Sequence, residues 1–222
     1  MNASAPPWPR LLVFLVAGSL LQVVLACNRS SAGGAQLTSA SASPARVRDP
    51  GISLQCVADQ INKAPAPFHW SYKKSVPPFT DADWEANVAP DSIDGTLVDT
   101  TGSHAIHGVR TNTSGWNTAV LVLTGSLPAS TFTLVQNSSA TKRAGAENLN
   151  GLQTLKYSID TTNDTAADAS LIRSVLGANG FIKGTAWVTQ TGCPVRFTLD
   201  VEQDNKDGTV QKEHYEANMT TN

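Results

Sequence analysis

From residue 51 onward the apolar residues keep two rhythms, a helical one and an alternating one. Between Ile52 and Lys63, Leu54, Val57 and Ile61 recur at helical spacing, and Pro65 and Pro67 end the run. Phe68, Trp70 and Tyr72 then alternate with His69, Ser71 and Lys73, the pattern of a strand with an aromatic face. Trp84–Val88, Ser92–Val98 and Ala105–Thr111 read as further strands, with Asp94-Gly95 and Gly102 as breaks. Thr113–Thr124 supports two readings. Trp116, Ala119, Val120 and Leu123 fit one helix face with Ser114 as cap, while Val120–Leu123 is also a β-branched apolar run; helix is the choice made here. Phe132–Gln136 reads as a strand or a loop lining.

The second half is plainer. Asn150-Gly151 separates Lys142–Leu149 from Leu152–Asp160, and both residues tolerate the positive φ of a tight hairpin turn. Thr165–Leu176 predicts a helix with a stripe of Leu171, Val175 and Leu176, followed by Asn179-Gly180. Ile182–Thr189 reads as a strand. Val195, Phe197, Leu199 and Val201 alternate with Arg196, Thr198, Asp200 and Glu202, and after a turn at 205–208 the strand 209–219 puts Tyr215, Ala217 and Met219 on one face. One apolar and one wet face describe an antiparallel sheet covering something. The expected class is therefore α+β, a strongly curved antiparallel sheet, or half-barrel, wrapped over a few helices.

The first fifty residues differ. An apolar stretch from Leu11 to Leu25, broken by Gly18, Ser19 and Gln22, fits a signal-peptide core better than a membrane-spanning helix. It closes on Val23-Val24-Leu25-Ala26-Cys27, which resembles the lipobox of bacterial lipoproteins. That resemblance implies cleavage before Cys27, a diacylglyceryl group on its thiol and acylation, palmitate for example, of the new amino terminus. Two acyl chains at ~0.8 kcal/mol per buried methylene anchor stably where one does not. The competing reading is an ordinary secretory signal with Cys27 incidental. Asn28 follows, so an Asp that would signal inner-membrane retention is absent from that position. Residues 28–50, rich in Ser, Ala and Gly, hold too little apolar surface to offset the entropy of ordering and read as a flexible tether. The expected organisation is a signal peptide over 1–26, the lipidated Cys27 and tether over 27–50, and one domain over 51–222.

Composition narrows the function. Sixteen Lys and Arg against eighteen Asp and Glu give a formal charge of −2 with no basic run, so nucleic-acid binding has no electrostatic support. Of three cysteines, Cys27 is assigned to lipid. Cys56 and Cys193 are expected to pair in an oxidising exported compartment, the alternative being two buried thiols. His104 and His107 lie three apart on a strand and so face opposite sides; they, His69 and His214 read as surface histidines. Asp81, Asp83 and Glu85 read as a solvated acidic edge, since the glycine and distal glutamate of a calcium loop are missing. The sequence contains no GxSxG, HExxH, GxxxxGK[ST] or GxGxxG pattern, and neither catalysis nor a cofactor is expected. The Asn-x-Ser/Thr matches at Asn112, Asn137, Asn163 and Asn218 read as coincidence in a chain rich in those residues.

The lipobox leader, the early helix, the Gly151–Tyr157 hairpin Gly-Leu-Gln-Thr-Leu-Lys-Tyr, and Gly184-Thr-Ala-Trp-Val followed by Val195-Arg-Phe together resemble the mycobacterial LppX/LprG-type lipoproteins and, more distantly, the LolA/LolB lipoprotein carriers. The resemblance implies an envelope protein whose half-open barrel, crossed by helices, holds an acyl chain for transport or presentation, with the domain facing periplasm or exterior. Trp70, Tyr72, Trp84, Trp116, Phe132, Phe181 and Trp187 are the candidate cavity lining, against the simpler reading that each is core packing. The runner-up function is an interaction lipoprotein with a filled core that docks to another envelope protein.

Overall fold

The computed structural model describes residues 49–221, apart from 65, 77–78, 137 and 164–165. Cys27, the leader and the tether up to residue 48 lie outside the described residues. All described residues belong to one compact unit, 47–222. Its core runs from Ile52 to Met219 and forms a single cluster.

Helix α1 (Gln55–Asn62) leads into four strands joined by short turns: β1 (Phe68–Val76), β2 (Phe79–Val88), β3 (Ser92–Asp99) and β4 (Gly102–Val109). Helices α2 (Thr113–Gly125) and α3 (Ala129–Val135) follow, then the hairpin β5 (Thr141–Leu149) and β6 (Leu152–Asp160). A single 3-10 turn (Thr161–Asn163) precedes α4 (Ala166–Leu176), and the chain ends in a meander of β7 (Phe181–Val188), β8 (Pro194–Asp204) and β9 (Val210–Thr221). The nine strands form one antiparallel sheet in the order β4-β3-β2-β1-β9-β8-β7-β6-β5. The sheet is open, with β4 and β5 as its edges. This is the α+β architecture that the sequence predicts.

Alternation decides which face is covered. Trp70 and Tyr72 of β1, Trp84 and Ala86 of β2, Leu155 and Tyr157 of β6, Phe197 and Leu199 of β8, and Tyr215 and Ala217 of β9 are all buried on the face that the helices cover. The residues between them carry the charges of the outer face. Fully burying a side chain of this size stabilises by about 1.5–3 kcal/mol, so the inner face alone outweighs any surface ion pair.

The sheet also curls. At the tip of the β5–β6 hairpin, Asn150 (φ 52°) and Gly151 (φ 83°) make the predicted tight turn. The Asn150 side-chain amide donates to the Met219 carbonyl at 3.3 Å, and Thr221 Oγ1 donates to the Asn150 carbonyl at 3.1 Å. Strands β7 and β8 separate β6 from β9 in the sheet. In a flat sheet three spacings would put them about 14 Å apart. The hairpin tip must therefore bend back across the ends of β7 and β8.

Three local expectations change. Helix α2 is capped by Asn112, whose side chain accepts from Gly115 N at 3.2 Å, and not by Ser114, which lies inside the helix. Residues 132–136, expected as strand or loop, belong to helix α3 and its cap, because Thr131, Phe132 and Val135 form one buried helical face. Among the described side chains of α4, Ala169, Ile172 and Leu176 are buried, while Leu171 is 58% and Val175 47% exposed. The spacing i, i+3, i+7 through a small Ala lets α4 lie closer to β7 and β8 than a Leu171-Val175 stripe would.

Candidate functional site

Helix α1 is held at both ends. At its start Cys56 is bonded to Cys193, which sits just before β8. There too Ser53 N donates to the Gly192 carbonyl at 2.9 Å. Gly192 has φ 86°, and a side chain there would press on the carbonyls of Pro50 and Gly51, so only glycine suits this crossing. At its end the Asn62 carbonyl accepts from Arg110 Nη1 at 2.8 Å, and the Asn62 side-chain oxygen accepts from Trp116 Nε1 at 2.7 Å. Val57 and Ile61 point into the core and are fully buried.

The neighbouring face of α1 carries Cys56 and Gln60, with Ala64 just past the helix end, and it does not close on the sheet. It forms one wall of an apolar pocket of about 560 Å³. The opposite wall comes from strand ends: Phe68 starts β1, Met219 and Thr221 finish β9, and Leu152 starts β6 under the bent hairpin tip. The disulfide forms part of the same wall. Asp59 and Lys63 stand at the rim, paired at 3.0 Å with both side chains largely exposed. Inside, Gln60, Thr191 and Thr221 interrupt the apolar lining, and the Gln60 Oε1 is buried with no hydrogen-bond partner among the described residues. A volume of this size lies within the range that holds one small ligand.

The aromatic residues singled out in the sequence lie elsewhere. Trp70, Tyr72 and Trp84 pack together under α2, with ring centroids 5.8 Å (Trp70–Trp84, edge-on) and 5.5 Å (Tyr72–Trp84, stacked) apart. Ser126, at the end of α2, accepts from Tyr72 Oη through its carbonyl and from Trp84 Nε1 through its hydroxyl, each at 2.6 Å. Trp116 packs beneath the Arg110 guanidinium, 4.1 Å from the ring centroid. Phe132 meets Phe197 edge-on at 5.0 Å. Trp187 and Phe181 are on the outer face. Trp187 lies between Lys156 and Arg196, each 4.9 Å from its ring, and donates through Nε1 to Glu147. Phe181 is half-buried beside Lys183. None of these seven side chains lines the apolar pocket. The residues that do, Gln60, Ala64, Leu152 and Met219 among them, carry no motif; the only helical trace is Cys56 and Gln60, one turn apart beside the Val57-Ile61 stripe.

Two features flank the site. Asp49, placed by the sequence in the tether, accepts from Tyr157 Oη and Gly51 N at the inner face. The hydrogen bond from Tyr157 holds the Asp49 carboxyl below its ordinary range, and burial, with Asp49 beside it, pushes the Tyr157 phenol up to about 12. On the outer face His214 bridges Asp200 (2.6 Å) and Glu216 (3.0 Å). Burial works against the charged imidazole, but the hydrogen bonds and charges of Glu216 and Asp200 outweigh it and raise its pKa above 6.5.

His104 is within 2.8 Å of Thr101 Oγ1 and His107 within 2.7 Å of Asp94, both exposed. Asp83 and Glu85 are exposed on β2, and the side chain of Asp81 is outside the described residues. Among the described residues no three His, Cys, Asp or Glu side chains gather as metal ligands, and no single helix is long and apolar enough to cross a membrane.

No protein-family model and no curated protein matches the chain. Among solved structures it is similar to LprF from Mycobacterium bovis, at 17% identity and a TM-score of 0.34, over 75% of this chain and 89% of that one. It is also similar to MucB, solved in complex with MucA, at 10% identity and a TM-score of 0.32, over 76% of this chain and 54% of that one.

Proposed function

We propose that the chain is an envelope lipoprotein, held at a membrane through lipid on Cys27, whose folded unit binds the acyl part of a lipid for transport or presentation. One observation carries the binding role. A solvent-open cleft of about 560 Å³ with a largely apolar lining lies between α1 and the strand ends. Its walls are fixed by a disulfide at one end of α1 and by the Asn62 hydrogen bonds at the other. An acyl chain needs area and shape more than hydrogen bonds, and gains ~0.8 kcal/mol for each methylene taken from water. A pocket that is already open avoids the ordering cost of making one. The lipid anchor would keep the carrier beside its donor or acceptor membrane.

The second reading, an interaction protein with a filled core, draws on a different observation. Trp70, Tyr72, Trp84, Trp116 and Phe132 are packed to 4% exposure or less. The two readings part on Ala64, which lines the pocket and is 5% exposed. A fluorescent fatty-acid analogue is expected to bind residues 47–222 and to lose binding in Ala64→Trp, with Ala66→Trp at the exposed rim as a second variant that spares the core. No uptake by the unsubstituted protein, or full uptake by both folded variants, would remove the carrier reading.

A further inference from the structure

We infer that the free edge of β4, with the side of α2 beside it, is a two-fold interface for a second copy of this chain. The two edges of the open sheet are guarded unequally. β5 carries Lys142 and Arg143, and its ladder with β6 shifts at a bulge between Arg143 and Gly145. Charges and bulges of this kind keep an edge from pairing with another chain. β4 has neither. It reads Gly-Ser-His-Ala-Ile-His-Gly-Val, and its register with β3 runs unbroken from Gly102 to Val109. Residues 102–105 and His107 are exposed. The neutral stretch is wider than the strand. From Thr100 to Thr141 the only Lys, Arg, Asp or Glu is Arg110, and it is committed to the Asn62 carbonyl and the Trp116 ring. On α2, Thr118, Leu121 and Val122 share one side. Thr118 and Val122 line a small cleft of about 120 Å³ with Ile106 of the edge strand. Leu121 is 69% exposed, more than any other large apolar side chain among the described residues.

The ladder fixes how a copy would pair. Just past β4, Arg110 N donates to the Asp91 carbonyl at 2.9 Å. Alternation along an antiparallel pair then turns the backbone groups of Gly102, His104, Ile106 and Gly108 toward β3, and those of Ser103, Ala105 and His107 outward. Two copies related by a two-fold axis through Ala105 match these outward groups. Ala105 pairs with itself, Ser103 pairs with His107 of the other copy, and about six hydrogen bonds form, two at each of three pairs. The smallest side chain of the three stands on the axis, and His104 meets Ile106 on the helix-covered face. The two α2 helices come side by side on that face, which gives Leu121 a neighbour. A charged partner would find no counter-charge here, whereas a second copy meets no like charge. Pairing consumes both β4 edges and leaves only the guarded β5 edges outside, so the assembly closes as a dimer and does not grow.

Sedimentation velocity of the exported, oxidised chain beginning at Asn28, over a micromolar concentration series, tests this. The expected result is a mass that doubles with concentration. Ala105→Pro removes the central outward N–H without touching the β3 ladder, and should raise the dimer dissociation constant by about tenfold or more. Leu121→Lys, on the helix, sets like charges against each other and should do the same if the proline variant melts early. The axis also sets the two Ala105 α-carbons about 5.5 Å apart, within disulfide range. Ala105→Cys should therefore yield a covalent dimer in air, and Leu171→Cys, exposed on α4, should not. A chain that stays monomeric at hundreds of micromolar overturns the inference. So does a dimer that survives both Ala105→Pro and Leu121→Lys, or one that Leu171→Cys links as readily as Ala105→Cys. Binding of the monomer to phosphatidylcholine vesicles, lost in Leu121→Lys, would assign the face to a membrane and overturn it as well.

Discussion

Removing the Cys56–Cys193 bridge should cost the fold a large share of its stability and loosen one wall of the pocket. The two cysteines are 137 residues apart, so the bond closes a loop that spans most of the folded unit. The chain-entropy relation gives about 5 kcal/mol for a loop of that length, and delivered values of ~2–4 kcal/mol are usual. For a unit of this size 1 kcal/mol moves the midpoint by ~2–4 °C. Thermal unfolding of residues 47–222, followed by circular dichroism with and without a phosphine reductant, should show a fall of ~5–15 °C. Cys56→Ala/Cys193→Ala should show the same fall and no further response to reductant. The loss should also be local before it is global. Helix α1 would keep Asn62 as its tether to α2 but lose its fixed start, so hydrogen exchange should rise first over 55–60. A midpoint that moves by less than ~2 °C, with α1 protection unchanged, would refute both the bond's energetic role and the picture of α1 as a clamped wall.

Other expectations follow from single contacts. Tyr157 should ionise near pH 12; with a folded value above the unfolded 10.0, its contribution is intact below pH 10 and lost as pH rises toward 12, which ultraviolet absorbance and melting in the same samples would show. Asp49 carries the opposite sign. Its folded pKa lies below 3.8, so its contribution is present above that value and lost as pH falls through the folded one, and Tyr157→Phe should remove this acid sensitivity. His214 has a raised pKa, so the Asp200–His214–Glu216 bridge stabilises fully below pH 6.5 and fades as pH climbs through the folded value. An NMR titration of His214 should track the change in melting, and His214→Gln should flatten it. Gly184→Ala should destabilise by ~1–3 kcal/mol, because a side chain there would collide with the Thr198 carbonyl and Leu199 on the adjacent strand, a loss that denaturant unfolding would measure.

Much of this fold is legible because alternation is a strong signal when one face is buried. Tyr215-Ala217-Met219 and Val195-Phe197-Leu199 sit as their pattern requires, and Asn150-Gly151 turns where only such a pair turns readily. Helix α3 was obscured because a short segment lacks enough turns to display a period; its identity comes from Phe132 packing on Phe197, a contact made across the chain. Helix α4 misled for a related reason. Large residues at 171 and 175 outweighed Ala169, although close packing on β7 and β8 prefers the small one. The pocket was the hardest to read. Its walls meet from α1, the hairpin tip and the ends of β1 and β9, and no local pattern records that these ends fail to close. Five of the aromatic candidates fill the core, three from the sheet and Trp116 and Phe132 from α2 and α3, while Trp187 and Phe181 lie on the opposite face of the sheet.

The most direct single measurement is native mass spectrometry of the exported, oxidised chain beginning at Asn28, so that no acyl group sits on Cys27. A discrete added mass that disappears on solvent extraction, and returns with an added single-chain lipid, is the predicted result. A clean protein mass, with no uptake of any acyl compound, would contradict the carrier function and leave the pocket between α1 and the strand ends without a cargo.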